Sequence, residues 1–436
     1  MKKFFTFILA VACAVIASAE GLQTASQIVL LDSVVTRYAD GTPIHKSEYI
    51  ISADGREVMY ITYTGDIVTK AWVLLGKTEY TYDAQGNVLS EVYANWNQNS
   101  NEWVIAYKGE WTYDGQGKPL SEIYYNWNST TNSWEYTDKI EHLFDAQGHE
   151  LLYATYNWDE TANAWIGSNK LERTYDAQGR LLTTKYFYWN GSTNSWLGVM
   201  EEACTYDAQD HLVLLEGYYI DENSQKVNDS YKHEYTYDAQ GNCLSDTRSN
   251  WNGTNNTWEV FWRYEYTFDA QGNELSMTYF DWDSNTQAIV ASNRVSHTYD
   301  AQGNVLSEID AKWNETTGTW DEDRKSEYTY DAQGHKVEEI GYYREEATDP
   351  WLESLKNIWT YNEAGYELSQ EHYIWEAESN DWLLSSRLDN YYHDYNTSVQ
   401  RLNADRAFRS TKTLRNGQLI IERAGKVYTV TGQEVR

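Results

Sequence analysis

The sequence predicts an all-β protein: an elongated antiparallel meander of about twenty-two strands, built from twelve 31-residue hairpin repeats and forming a twisted, coiled open sheet, with a closed or spiral shell as the alternative. Three observations predict it. A Tyr-Asp-Ala-Gln-Gly pentapeptide recurs at an unvarying interval of 31 residues. Its Asp falls at Asp83, Asp114, Asp145, Asp176, Asp207, Asp238, Asp269, Asp300 and Asp331, then at Asn362, with degenerate copies at Ser52 and His393. The composition, with 20 Trp and 38 Tyr against only 3 Pro, suits half-buried strands. Finally, the Gly column is replaced only by Asp210 and Asn396, residue types that tolerate positive φ.

Within one repeat, Asp-Ala-Gln-Gly reads as a type I turn followed by a left-handed residue, the usual entry to a hairpin with a glycine bulge. About ten residues on each side, such as Trp103 to Tyr113 and Lys118 to Trp127, form the strands. A second turn from Asn128 to Ser133, rich in Asn, Ser and Thr, joins Trp127 to Trp134.

With Tyr82 facing Val88 across the glycine turn, strict alternation puts the columns of Tyr80, Tyr82, Ala94 and Trp96 on one face together with Trp72. The opposite face then carries Lys77, Glu79 and Thr81 and their equivalents, a solvated surface of cross-strand pairs. Joined end to end, such hairpins leave an aromatic face that cannot stay bare to water, so the sheet should coil around a concavity.

Seventeen of the 20 Trp fall in two columns flanking the second turn. Trp96, Trp103, Trp127, Trp134, Trp158, Trp165, Trp189, Trp196, Trp251 and Trp258 therefore form the candidate ligand-binding ladder. Two readings of it stay open: staples that pack the turn, or flat π faces on which sugar rings stack.

Composition narrows the function. The net charge is −32, and removing Lys2 and Lys3 with an N-terminal segment that holds no acid takes it to −34, which disfavours nucleic acid as a partner. Residues 1–19 read as a secretory signal peptide, with Phe4 to Ile16 apolar and Ala17-Ser18-Ala19 at the cleavage site. Cys13 as a lipid-modified cysteine is the rival, giving a periplasmic or lipid-anchored protein. Cys204 and Cys243 lie on strands placed three apart, roughly 14 Å, beyond the roughly 7 Å a disulfide spans, and are expected as free thiols.

Chemistry-bearing motifs are sparse. The sequence contains no H-E-x-x-H, G-x-S-x-G, phosphate loop or zinc cysteine pair. Among the histidines, His149, His211 and His335 occupy the Asn87 column, and His142 and His297 the Tyr80 column. One Asp per turn is explained by its own bonds to the turn backbone, so no metal ligand, cofactor or catalytic residue is expected. An enzyme acting on polysaccharide is the alternative, its site in the divergent copies where Asp210 replaces Gly, and Ile220, Val227 and Ile289 replace Trp.

The Tyr82-Asp83-Ala84-Gln85-Gly86-Asn87-Val88-Leu89 pattern resembles the YD-repeat (Rhs-like) class, whose arrays form spiralling β-sheet shells, over about residues 50–396. The resemblance implies architecture, and neither a self-cleaving core nor a toxin domain follows the array. After an Asn- and Arg-rich stretch, Thr413 to Ile421 and Lys426 to Arg436 resemble the end of a type IX secretion C-terminal sorting domain, with Gly-x-x-Tyr-x-x-x-Gly-x-x-Val spacing. That likeness implies passage through the outer-membrane secretion machinery of a Gram-negative bacterium, then surface attachment or release. The expected organisation is signal peptide 1–19, capping strands 20–50, repeats 51–396, linker 397–408 and sorting-like segment 409–436. The expected function is a secreted or cell-surface, non-enzymatic interaction, adhesion or spacer module, with glycans or surface proteins as partners.

Overall fold

The structure is a computed structural model and describes residues 28–52, 56–220, 226–284, 286–395, 410–415, 418–423, 426–429 and 434–435. The signal peptide, Cys13, Gly55, Asn396 and the linker lie outside the described residues. The chain divides into two compact units, of which Leu31–Tyr392 holds the repeats.

That unit is one 24-stranded antiparallel sheet, from β1 (Ile28–Tyr38) and β2 (Pro43–Ile51) to β24 (Asp381–Tyr395), each strand bonded to its sequence neighbour. The ends also meet. β1 pairs with β24 as well as with β2, so the sheet is closed into a barrel rather than left open. Ala39 N–H donates to the Ser385 carbonyl at 3.0 Å and Arg37 lies 3.7 Å from Asp389 across this seam. Closure corrects the open-sheet expectation. Its physical reason is that an open meander leaves two rows of unpaired N–H and C=O groups, which ring closure removes. At about 4.8 Å per strand the wall runs about 115 Å, enclosing a bore too wide for its own side chains to fill.

The Asp-x-x-Gly turns form as expected. Asp83 N–H donates to the Asn87 carbonyl at 2.9 Å, and Gly86 sits at φ 100°. Asp210, standing in for Gly, holds the same left-handed corner at φ 70°. The Asp83 carboxylate accepts the N–H groups of Gln85, Gly86 and Asn87 at 2.8–2.9 Å. One Asp thus satisfies the donors that a tight turn leaves without partners.

Register departs from strict alternation at two places in each repeat. Tyr82 pairs with Val88 but Thr81 pairs with Ser90, so Leu89 is an extra residue. Across the second turn Tyr93 pairs with Tyr107 but Ala94 with Ile105, so Ala106 is extra. Each bulge reverses side-chain parity. The columns of Ala94 and Trp96 therefore lie on the face of Lys77, Glu79 and Thr81, and not beside Tyr80 and Tyr82. Side-chain contacts agree: Thr81 Oγ1 meets Ser90 Oγ at 2.7 Å, and Lys77 Nζ lies 5.3 Å from the Trp103 ring centroid. Bulges also bend and twist strands, and two per repeat supply curvature toward closure.

The repeats are stapled to one another by the Tyr of the motif. Tyr113 donates to the Val88 carbonyl at 2.8 Å, Tyr206 to Leu181 at 2.9 Å and Tyr237 to Leu212 at 2.8 Å, each reaching back 25 residues. Tyr113→Phe should cost about 1 kcal/mol, read as a lowered denaturant midpoint at unchanged slope.

Among the described residues there is no central core. Buried apolar residues are the small Ala94, Ala154 and Ala311, plus Val35, Ile50, Met59 and Ile61 in β1, β2 and β3 (Glu57–Gly65). A single-layer wall leaves both faces accessible to solvent. Cys204 and Cys243 are free thiols on β12 (Ser195–Tyr206) and β15 (Cys243–Asn252). In the other unit, Ser410–Arg415, Gln418–Arg423, Lys426–Thr429 and Glu434–Val435 form a four-stranded antiparallel sheet. No helix among the described residues is long and apolar enough to cross a membrane.

Candidate functional site: the two faces of the wall

The face bearing Lys77 repeats itself. In one copy Lys108 Nζ sits 2.8 Å from Glu110, 4.2 Å from the Tyr125 ring centroid and 5.3 Å from that of Trp134. Tyr125 closes the circuit by donating to the second Glu110 oxygen at 2.6 Å. Lys139 repeats this with Glu141, Tyr156 and Trp165; Lys170 keeps the cation's contacts with Glu172, Phe187 and Trp196, but Phe187 has no hydroxyl to close the circuit. A cation between two π faces, with a carboxylate at its tip, is a favourable arrangement on a solvated surface.

The Trp ladder belongs to this face. Trp96–Trp103, Trp127–Trp134, Trp158–Trp165, Trp189–Trp196 and Trp251–Trp258 are cross-strand pairs, with ring centroids 5.0–5.3 Å apart and planes at 68–71° except Trp189–Trp196 at 82°. All ten indoles are half-buried. Edge-to-face contact uses the ring quadrupoles, and a Lys lies over the second Trp in all five pairs: Lys77 at Trp103, Lys108 at Trp134, Lys139 at Trp165, Lys170 at Trp196 and Lys232 at Trp258. Beyond these pairs the second turns carry left-handed Asn101, Asn132, Asn163, Asn194 and Asn256 at φ 50–55°. Asn enrichment there has the same backbone cause as the Gly column.

The opposite face keeps Tyr or Phe in the Tyr82 column beside the glycine turn, while its mid-strand columns change from copy to copy. The Tyr80 column runs Trp111, His142, Arg173, Cys204, Tyr235, Tyr266, His297 and Tyr328. The Tyr93 column runs Tyr124, Thr155, Tyr186, Gly217, Arg248, Tyr279, Asp310 and Gly341. Its polar groups form local networks. His142 lies 2.8 Å from Glu150 and 3.4 Å from Glu122, and Glu150 also takes Arg173. Tyr186 donates to Glu202 at 2.7 Å, and burial followed by that carboxylate pushes the phenol up to about 12. Sequence reasoning missed this division because the bulges mix the two faces in any alternating projection.

Along the glycine-turn edge the residue after each Gly reaches the next copy. His149 bonds Asp145 at 2.8 Å and stacks on Tyr175 at 4.8 Å; His211 and His335 do likewise with Asp207 and Tyr237, and Asp331 and Tyr361. Two open grooves of ≈ 500 and ≈ 740 Å³ lie between neighbouring turns, around His211 and Tyr237 and around Asn273 and Tyr299. Among the described residues no group of three His, Cys, Asp or Glu is placed to hold a metal ion.

The turn carboxyls carry a pH dependence. The Lys118 backbone N–H, then that of Gln116, holds Asp114 below its ordinary 3.8; at Asp238, Asp269 and Asp300 the following Asn amide does so first. A folded-state value below the unfolded one adds stability that is complete above the unfolded value and lost as pH falls through the lowered one. The melting temperature should hold steady down to about pH 5 and fall below about pH 4. Replacing these Asp by Asn keeps the N–H acceptors, as Asn362 does for Ala364 and Tyr366, and should flatten the acid limb in a pH series of thermal melts.

Comparisons with known proteins give partial matches. A profile described as "Family of unknown function (DUF3836)" matches residues 204–295. No curated protein matches the chain. Among solved structures, a protein of unknown function from Bacteroides fragilis is 13% identical over 36% of this chain and 91% of its own, with a TM-score of 0.21. A DUF3836 family protein from Bacteroides vulgatus is 19% identical over 22% of this chain and 91% of its own, with a TM-score of 0.19. The TcdB2-TccC3-TEV structure is 13% identical over 92% of this chain but only 23% of its own, with a TM-score of 0.29. The chain is a repeat-rich, all-β hairpin protein.

Proposed function

We propose that the chain is an exported, non-enzymatic interaction module of a Gram-negative cell surface, which presents its variable face to glycans or surface proteins. One observation carries the reading: mid-strand side chains repeat on one face and diverge on the other, whose constant Tyr82 column is confined to the glycine-turn end. A wall built only for support has no need of a variable face, whereas recognition does. Export rests on residues 1–19 and on the sorting-like tail. Both faces carry charge at mid-strand, Lys77 and Glu79 on one and Glu91 and Glu122 on the other, which favours a wall in water over one facing lipid.

Fractionation with mass spectrometry of both ends tests the address. Purified protein on a panel of polysaccharides and host surface proteins tests the role; the expected result is binding without turnover. Hydrolysis abolished by one Glu→Gln change would instead establish the enzyme.

A further inference from the structure

We infer that Arg248, on the variable face, is the anchor of a binding site for a carboxylate-bearing sugar, a uronate residue within a glycan. The inference rests on the reading of this chain as an interaction module and assigns its ligand chemistry. Arg248 lies on β15 between His233 of β14 (Lys226–Tyr237) and Trp262 of β16 (Thr257–Phe268), its cross-strand partners on either side. Its guanidinium stands 4.6 Å from the Tyr231 ring centroid.

The cation has no acid of its own. Its Nε is buried without a hydrogen-bond partner, and among the described residues Arg248 makes no ion pair. The carboxylates nearby are engaged elsewhere: Asp246 with His233 Nδ1 at 3.1 Å, and Glu202 with the hydroxyls of Tyr186 and Tyr231. Among the described arginines Arg294 and Arg324 also make no ion pair, but Arg294 lies over the Trp320 ring on the repeating face and Arg324 has Asp310 as its cross-strand partner. The fold does not require Arg248, since the equivalent positions in the adjoining copies are Gly217 and Tyr279. A planar guanidinium fork matches a planar carboxylate with two parallel hydrogen bonds.

Flat apolar surface adjoins it. The His233 and Trp262 rings meet at 5.3 Å, Trp262 and Tyr264 at 5.2 Å, and Tyr264 and Tyr279 at 5.0 Å. Aromatic faces beside a carboxylate anchor suit pyranose rings, whose C–H faces stack on them. An extended acidic peptide offers the carboxylate without the rings and is the competitor.

Calorimetric titration of the full chain with oligogalacturonate, with a neutral galactan oligosaccharide of equal length and with oligoglutamate tests this. The expected result is binding of oligogalacturonate alone, weakened about 10- to 100-fold by Arg248→Gln and also by Trp262→Ala, while Arg248→Gln leaves the melting temperature in place. Trp127→Ala should not change the affinity. Equal affinity in Arg248→Gln, equal binding of the neutral oligosaccharide, preference for oligoglutamate, or no uronate binding each overturns the assignment. If the wider panel still yields another ligand, only this assignment fails; if nothing on either panel binds, the interaction reading fails with it.

Discussion

Removal of residues 20–40 is expected to drive new self-association, because it deletes β1 and reopens the ring. β2 and β24 would each present a bare edge, and strand edges pair with whatever strand they meet. The seam contributes two rows of backbone hydrogen bonds at roughly 1 kcal/mol net each, so the loss is on the order of 5–10 kcal/mol before any association. Size-exclusion chromatography with light scattering should show dimers or larger species, with reduced amide protection in β2 and β24. A monodisperse monomer with an unchanged melting temperature would show that closure is dispensable.

The Trp127→Ala, Trp134→Ala double variant is expected to lose about 3–5 kcal/mol of local stability. Half-buried indoles fall toward the low end of large-to-small replacements, and two ring contacts and the Lys108 cation go with them. A wall of nearest-neighbour repeats confines such damage. Hydrogen exchange should therefore speed up in β7 (Pro119–Asn128) and β8 (Ser133–Phe144), and stay as it was in β20 (Thr319–Tyr330). Uniform loss across the barrel would refute the staple role and favour a globally cooperative wall. The same variant tests the Trp edge as a glycan platform, since panel binding should survive wherever the barrel remains folded.

Much of the strand framework was legible because the chain states it repeatedly. The positions of Gly86 and Asp210 announced left-handed corners, and the pairing of Tyr82 with Val88 followed from the turn itself. The Trp pairs were legible as neighbours across the second turn. Their face was not, because Leu89 and Ala106 look like ordinary members of an alternating strand. The Arg248 cluster was illegible for the same reason: His233, Arg248 and Trp262 come from three strands, and their common side emerges only once each bulge is placed.

The sequence by itself determined the hairpin, its period, its turn chemistry and the number of copies, all of which depend on contacts within a few residues. Only the tertiary structure decided which side chains share a face and that the two ends meet. A bulge is a one-residue choice that inverts everything after it, and closure sums small twists over twenty-four strands. Neither quantity is local, so neither can be read from one repeat.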